Sequence, residues 1–437
     1  MLIVIAGAGE VGHNLARILS EHHSVFVIEK DDEKVEDLRN LNVEVIHGNA
    51  ANIELLKSAN VKKADVFLAV TGNDEVNLLS GIYAKRLGAK KVIVRVGNPE
   101  YVERPIVRDH PLGFDLVICP QLVLANEIAN TIMIPGAVEF ISLSGKSDMV
   151  EIAVRDSPII GKRISELKIP RDVIILAILR DNEVLIPRGD TVIKKDDIVV
   201  VFGDAKEIAR LKDIFGRPIV KNITIFGGGT VGSYVARILE FGNFDIKLID
   251  SNISRCERLS EMLKKTKVVF GDATDLDFLI EEEVGKSDAV VATTESDEKN
   301  LLICLLSKSI GAKKAIAKVE RGDYVRLFER VGVDITLSPR RVTFLEVMKY
   351  LGLVDIREMA DIRQELTVVE VVVKNKEIAE KKISELRIPS NSIIGGIIRD
   401  DECIIPRGDT RILLNDRLLI FTNWDEIEEI EDIFEGD

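Results

Sequence analysis

Two glycine-rich segments contain the residues of this chain that are most suited to bind a ligand. The first consists of Gly7, Ala8, Gly9, Glu10, Val11 and Gly12, and the second of Gly227, Gly228, Gly229, Thr230, Val231 and Gly232. In a dinucleotide-binding loop the first glycine permits a tight turn, the second lets the backbone approach a phosphate, and the third packs a helix against a strand. The free N–H groups of the following helix then favour a pyrophosphate.

An acidic residue follows each glycine loop at the spacing of a ribose-binding carboxylate. Glu29 lies 20 residues after Gly9, and Asp250 lies 21 residues after Gly229. A carboxylate at this position accepts hydrogen bonds from both ribose hydroxyls and repels a 2′-phosphate. The sequence therefore favours NAD(H) or an adenine nucleotide over NADP. A loop that merely turns the chain is the alternative, because one glycine motif of this kind is a weak signal.

Further candidate ligand residues lie where predicted strands end. They are Thr71, Gly72 and Arg95 in the first half of the chain and Thr294, Glu295 and Lys318 in the second. The threonines follow the fourth predicted strand of each half, at the sheet edge where ligands bind. Their alternative role is to cap the next helix. The two cations end the fifth strand and suit a phosphate or a ribose, with a solvated surface charge as the alternative.

The two sets of residues correspond because the chain is a tandem repeat. Residues 2–17 match 222–237, residues 66–96 match 289–319, and the sequence PRGDT occurs at both 187–191 and 406–410. The offset stays between 219 and 223 residues in a chain of 437. Each half alternates short β-branched runs with helical patterns, which indicates βαβ units and a parallel sheet.

The first part of each half is predicted to be a Rossmann-like domain. Apolar runs predict strands at 2–6, 25–28, 43–47, 66–70, 92–96 and 116–119, with helices such as 10–20 and 74–87 between them. Six strands with intervening helices indicate a doubly wound parallel sheet. Strands buried on both faces of such a sheet also explain a mean hydropathy of +0.12.

A smaller α+β lobe is predicted to follow, because the pattern changes near residues 135 and 136. Strands are predicted at 138–143, 149–154, 174–179, 183–186 and 198–202, and a helix at 204–215. The repeat then predicts four domains. They are nucleotide-binding Rossmann domains at 1–136 and 219–355 and small C-terminal lobes at 137–218 and 356–437.

Composition excludes several classes of function. The chain has 59 Lys and Arg against 73 Asp and Glu, a formal charge of −14 that argues against binding nucleic acid. The longest run without a charge, 222–236, contains four glycines and is too short to span a membrane. No signal peptide, CxxC pair or other metal-ligand cluster is visible. No histidine of one half has a counterpart in the other, so no paired catalytic residue is predicted.

The domain order and motifs resemble the regulatory proteins of the Trk potassium-uptake systems, and each half is similar to a regulator-of-potassium-conductance module. The resemblance covers the whole chain. It rests on residues 7–12 with Glu29, AVTGNDEVNL at 69–78, GAKKVIVRV at 88–96, and the ISEL and PRGDT segments. It implies a peripheral, non-enzymatic subunit on the cytoplasmic face of a membrane potassium channel or transporter. It also implies a homo-oligomeric ring, a dimer or tetramer of the chain, whose shape changes with NAD(H) or ATP/ADP.

By position, the resemblance assigns nucleotide contacts to the residues selected above. Arg17 and Arg237 match a first-helix arginine that reaches nucleotide phosphates in related ring proteins, and otherwise they are solvated helix charges. Lys318 replaces an arginine and Glu295 replaces a glycine, so the two halves are expected to differ in nucleotide preference. An NAD-dependent oxidoreductase and a regulator of another ion transporter are the alternatives.

Overall fold

The computed structural model describes residues 1–103, 113–134, 136–144, 147–155, 157–181, 183–216, 220–351, 367–389, 391–399, 402–422 and 426–435. The chain forms two compact units, each assembled from both halves of the sequence. One unit consists of Met1–Ala129 and Lys221–Gly352, and the other of Asn130–Val220 and Leu353–Asp437. The predicted domain boundaries at 218/219 and 355/356 lie outside the described residues, as do Pro135 and His110. The three boundaries between the four domains stay predictions.

The first domain has a parallel sheet with helices between its strands. The strands are β1 Leu2–Ala6, β2 Ser24–Glu29, β3 Glu44–His47, β4 Val66–Ala69, β5 Lys91–Arg95 and β6 Leu116–Ile118. The helices are α1 Glu10–Leu19, α2 Asp32–Leu38, α3 Ile53–Ser58, α4 Asp74–Leu87, α5 Glu100–Glu103 and α6 Pro120–Met133. The strand order β3-β2-β1-β4-β5-β6 confirms the predicted doubly wound sheet. Its order reverses between β1 and β4, and ligands bind at such a switch point.

The first small lobe has an antiparallel sheet of five strands in the order β10-β9-β11-β8-β7. The strands are β7 Ala137–Ser144, β8 Ser147–Ala153, β9 Val173–Arg180, β10 Glu183–Leu185 and β11 Ile198–Asp204. The predicted continuous helix at 204–215 is wrong in one respect. Two short helices, α7 Ala205–Ile208 and α8 Lys212–Phe215, are separated by a 3-10 turn at Ala209–Leu211.

The second Rossmann-like domain repeats the topology of the first. Its strands are β12 Asn222–Phe226, β13 Asp245–Asp250, β14 Lys267–Phe270, β15 Ala289–Ala292, β16 Ala315–Lys318 and β17 Ile335–Leu337. Its helices are α9 Thr230–Leu239, α10 Ile253–Met262, α11 Leu276–Glu281, α12 Asp297–Ser309, α13 Val325–Arg330 and α14 Pro339–Leu351. The strand order is β14-β13-β12-β15-β16-β17. It reverses between β12 and β15, so the switch point again lies beside the strand that precedes the glycine loop.

The second small lobe has four described strands in the order β18-β21-β19-β20. They are β18 Thr367–Val372, β19 Ile393–Arg399, β20 Glu402–Ile404 and β21 Arg417–Thr422, followed by helix α15 Ile427–Glu435.

The central strands of both parallel sheets are buried on both faces. Ile3, Val4 and Ile5 in β1 are fully buried, and all four residues of β4 and of β15 are buried. These runs account for the high mean hydropathy. Across the described part of the chain, no helix combines the length and the apolar character needed to cross a membrane.

Candidate functional site

The outer glycines of each loop are required by the backbone. Gly7 and Gly227 have φ values of +100° and +91°, in the region that favours glycine. A Cβ on Gly12 would lie 1.9 Å from the carbonyl oxygen of Gly7, and a Cβ on Gly232 would lie 1.9 Å from that of Gly227. The fold alone therefore explains these four glycines.

The middle glycine of each loop is not required by the backbone. Gly9 has a φ of −63° and Gly229 a φ of −65°, values that any residue adopts. A Cβ on either would meet no heavy atom within 4 Å. Each precedes a helix of ten residues, at the N-cap position where Ser, Thr, Asp or Asn stabilises a helix. The glycines therefore leave open space before two helix N-termini, and such space suits an anionic phosphate.

Glu29 holds the first glycine loop in place. The side chain is almost fully buried, and one carboxylate oxygen accepts a hydrogen bond from the Ala8 N–H. The other accepts from the N–H groups of Lys30 and Asp31 at 2.7 and 3.0 Å. A carboxylate has about four acceptor sites. These three bonds therefore leave capacity for about one ribose hydroxyl rather than the two that the sequence suggested.

Asp250 holds the second loop in a similar way. Its Oδ2 accepts from the Gly228 N–H at 2.7 Å and from Arg255 Nη1 at 3.0 Å, and its Oδ1 accepts from the Asn252 N–H at 2.8 Å. The residue is also almost fully buried. Arg255 thus places a guanidinium beside the predicted ribose position of the second domain.

Thr71 and Thr294 do not cap the helices that follow them, so that alternative is wrong. The N-cap of α4 is Asn73, whose side chain accepts from the Val76 N–H at 2.8 Å. The N-cap of α12 is Ser296. The threonines are two residues upstream of the caps, and their hydroxyls have a different partner.

That partner is a buried asparagine, Asn77 in the first half and Asn300 in the second. Asn77 is fully buried, and its amide oxygen accepts from the Thr71 hydroxyl and N–H at 2.6 and 2.9 Å. Its amide nitrogen donates to the carbonyls of Thr71 and Arg95 at 3.0 and 2.9 Å. Asn300 repeats the same four bonds. The asparagines therefore tie the ends of the fourth and fifth strands of each sheet together.

The asparagines were not selected from the sequence as functional residues. The signal was present, because positions 77 and 300 correspond within the matched segments 66–96 and 289–319. Each satisfies all of its amide hydrogen bonds inside the protein, so its contribution is to position the neighbouring candidate ligand residues.

Replacement of this asparagine is expected to destabilise the first domain. Asn77→Leu removes the acceptor of the Thr71 N–H and the amide donors to the carbonyls of Thr71 and Arg95, of which the Thr71 carbonyl keeps the bond from Arg95. The loss is about 2–4 kcal/mol. Urea unfolding of the full chain measures the loss of stability, with hydrogen exchange of the backbone amides in β4 and β5 as the local readout. Asn126→Leu is the control, since Asn126 is exposed and donates one bond to the Leu122 carbonyl. Equal effects of the two variants would contradict the role assigned to Asn77.

A cleft of about 250 Å³ lies at the carboxyl edge of the second parallel sheet. It brings together predicted ligand residues from three separate segments, namely Gly227, Gly229, Asp250, Thr294 and Glu295. Other predicted residues of this half do not line it, namely Gly228, Thr230, Val231, Gly232, Arg237 and Lys318. The ε-amino group of Lys318 lies 2.9 Å from Glu320.

Two cations that line this cleft were not predicted, Arg255 and Lys299. A signal for Arg255 existed, because a cation follows each ribose carboxylate by five residues, Lys34 in the first half and Arg255 in the second. Lys299 had no such signal, because the first half has Val76 at the corresponding position.

Arg95 is not the solvated surface charge that the alternative supposed. Its Nη1 donates to the Thr71 carbonyl at 3.0 Å. Its Nε is buried and makes no hydrogen bond within the described part of the chain. Burial lowers the pKa of the guanidinium, against the opposing effect of Asp74. Arg17 and Arg237, by contrast, are exposed in the last turns of α1 and α9, at the helix ends opposite the glycine loops.

The described residues contain no group of three or more His, Cys, Asp and Glu side chains arranged to hold a metal ion. Burial raises the pKa of the thiols of Cys119 and Cys256, and raises that of Cys304 to about 12. A buried thiol with a raised pKa is a poor nucleophile.

Family models match most of the chain. The TrkA-N domain model matches residues 3–120 and 223–339, and the TrkA-C domain model matches 149–216 and 368–435. The tandem order of these matches agrees with the predicted repeat.

Curated relatives match over the full length. One is the Trk system potassium uptake protein TrkA homolog of Archaeoglobus fulgidus, 56% identical over 99% of this chain and 100% of its own. Another is the Trk system potassium uptake protein TrkA of Vibrio alginolyticus, 29% identical over 100% of this chain and 99% of its own.

Solved structures show the same fold. The GsuK RCK domain is 21% identical, with a TM-score of 0.62 over 100% of this chain and 95% of its own. The GsuK channel bound to NAD is also 21% identical, with a TM-score of 0.63 over 100% of this chain and 79% of its own. The duplicated domain models and the full-length relatives show that the chain belongs to the TrkA family.

Proposed function

We propose that this chain is a nucleotide-sensing regulatory subunit of a membrane potassium-uptake system and is not an enzyme. The observation that carries the proposal is the open space before α1 and α9, which the middle glycines Gly9 and Gly229 leave without any demand from the backbone. Membership of the TrkA family supplies the transport context, because the relatives are named Trk system potassium uptake proteins.

NAD(H) and ATP/ADP are the ligands that we propose for the two sites. A phosphate lies before the helix N-terminus, where N–H groups and the helix dipole favour negative charge. Glu29 and Asp250 then accept from the ribose and disfavour a 2′-phosphate. Structures of the GsuK channel, which shares this fold, have been solved with NAD and with ADP.

We assign nucleotide contacts to the residues selected from the sequence and add the cleft cations Arg255 and Lys299. The second site is the better supported of the two, because its glycine loop, Asp250 and Thr294 line one cavity. Glu295 adds a negative charge where the first half has Gly72. The two sites are therefore proposed to differ in nucleotide preference.

The partner that we propose is a membrane potassium channel or transporter subunit, contacted at the cytoplasmic face by a homo-oligomeric ring of this chain. A nucleotide can shift such a ring only as far as it binds one shape better than the other. We propose potassium as the transported ion because of the family. A measurement of ion flux distinguishes this proposal from the alternative, a regulator of another ion transporter.

Titration calorimetry of the purified chain with NADH, NAD, ADP, ATP and NADPH tests the ligand assignment. Saturable binding with two sites per chain is expected for at least one nucleotide without a 2′-phosphate, with weaker binding of NADPH. No steady production of NADH from NAD is expected with candidate alcohols or acids, and sustained turnover would overturn the regulatory proposal. Potassium flux through the co-purified membrane partner, with and without nucleotide, then tests the gating.

A further inference from the structure

The two Rossmann-like domains meet at a charged contact beside the first glycine loop. Helix α14 of the second domain packs against α1 of the first. Arg340, the second residue of α14, forms an ion pair with Glu10, the first residue of α1. The backbone at Gly322 also approaches this carboxylate, because a Cβ on Gly322 would lie 2.9 Å from Glu10 Oε1. Glu10 is therefore held between the first glycine loop and the second domain.

The same contact extends to a candidate ligand residue of the first half. The charges that act on the Arg95 guanidinium include Asp74 of its own domain and Glu320 and Arg340 of the second domain. The side chains of Glu10 and Arg340 are 37% and 40% exposed, so the pair remains accessible to a ligand. Charges of the second domain thus act on both Glu10 and Arg95 of the first proposed site.

The residues that correspond to this pair in the repeat are not charged. Thr230 follows Gly229 at the position that Glu10 has after Gly9. Gln121 follows Pro120 at the position that Arg340 has after Pro339. Glu10 and Arg340 are thus both charged, whereas the residues at the corresponding positions, Thr230 and Gln121, are both neutral.

We propose that Arg340 is a specificity-determining residue of the first nucleotide site, acting through Glu10, although it belongs to the second domain. The inference rests on the proposed function, because it places a phosphate before α1. An unpaired Glu10 would repel that phosphate, and Arg340 cancels the repulsion. The pair thereby sets how strongly the first site favours nucleotides that carry more phosphate charge. By linkage, a nucleotide bound there strengthens the contact between the two domains.

The test uses a full chain in which Gly229→Asp blocks the second site, so that calorimetry reports the first site alone. The ligands are AMP, ADP and ATP, which share a nucleoside and differ in phosphate charge. Arg340→Gln is expected to lower the affinity for ATP about two- to fivefold, the range for partly exposed charges, with a smaller loss for AMP. Glu10→Thr is expected to raise the affinity for ATP by a similar factor.

Two further variants complete the design. The double variant Glu10→Thr/Arg340→Gln places the neutral residues of the other half at both positions, and its ratio of ATP to AMP affinity is expected to return close to that of the parent. Arg330→Gln removes an exposed cation from the last turn of α13 and is the control for net charge. Its ratio is expected to be unchanged.

Changes in ATP affinity of opposite sign in Arg340→Gln and Glu10→Thr support the inference. Mere loss of the contact between the domains would change the ATP affinity of both variants in the same direction. Changes of the same sign, or an unchanged ratio of ATP to AMP affinity in Arg340→Gln, would overturn it while leaving nucleotide binding intact. If the parent with the blocked second site binds none of the three nucleotides, this inference fails. Titration of the same parent with NADH and NAD then decides whether the proposed function fails for the first site as well.

Discussion

Gly9→Asp is expected to lower the nucleotide affinity of the first site about 100-fold or more and to leave the second site unchanged. Among the described residues the Cβ would meet no heavy atom within 4 Å, and the φ of −63° suits aspartate. The new carboxylate occupies the space before α1 and takes the N–H groups that a phosphate would use. Each charged hydrogen bond lost costs about 1.5–3 kcal/mol. Gly229→Asp is expected to do the same at the second site.

This substitution separates binding from folding. Aspartate is a good N-cap residue, so the thermal midpoint of the variant is expected to stay the same or to rise. Gly9→Asn is the matched control, because asparagine also caps helices but carries no charge. The difference in nucleotide affinity between the two variants measures the electrostatic part of the loss.

Gly12→Asp is expected to affect folding as well as binding, unlike Gly9→Asp. Its Cβ would lie 1.9 Å from the Gly7 carbonyl oxygen, so loss of binding is expected together with loss of stability. Calorimetry and thermal unfolding of the three variants make the comparison. Unchanged nucleotide affinity in Gly9→Asp would show that no phosphate binds before α1.

The helices and strands of the fold were predictable because the local periodicity of apolar residues indicates them. Helix α4 was predicted at 74–87 and occupies Asp74–Leu87, and the predicted strand at 2–6 is β1. Continuous apolar runs identify strands buried on both faces, and alternation with helical patterns then favours one topology. The glycine loops were recognisable because their spacing is local as well.

Contacts between distant residues were not predictable from these patterns. The pair of Glu10 with Arg340 joins positions 330 residues apart. The bond from Asn77 to the Arg95 carbonyl depends on how α4 packs on β5. The alternative role of Thr71 as a helix cap is wrong because Asn73 competes for the same helix end, and only the backbone path decides between them. Propensity alone does not resolve such competition.

Each small lobe contains the same ion pair, between a buried aspartate and a partly exposed arginine, which the sequence patterns did not indicate. In the first lobe Asp197 is 1% exposed, and Arg180 donates to both of its carboxylate oxygens at 2.8 Å. The Lys194 N–H also donates to Asp197 at 2.7 Å, and Arg180 donates to the Val192 carbonyl at 2.8 Å. The hydrogen bonds from Arg180 to Asp197 raise the pKa of the guanidinium. Arg399 and Asp416 repeat the arrangement in the second lobe.

Arg180→Met is expected to destabilise the first lobe by about 3–5 kcal/mol, because it leaves the Asp197 carboxylate buried without its counter-charge. The double variant Arg180→Met/Asp197→Leu is expected to recover most of that loss, since a buried ion pair and an apolar pair of similar volume are often close in stability. Exchange of the backbone amides of β9 and β11 measures the local free energy of opening.

The control for the loss of one arginine is Arg210→Met. It removes an exposed pair with Glu207 and is expected to change stability by less than about 1 kcal/mol. An effect of Arg180→Met no larger than that of Arg210→Met would mean that the pair contributes nothing to the lobe. A double variant as unstable as Arg180→Met would mean that packing, rather than the uncompensated charge, carries the loss. In the expected result, the first lobe needs Arg180 because Asp197 is buried there, and the ion pair as a whole adds little net stability.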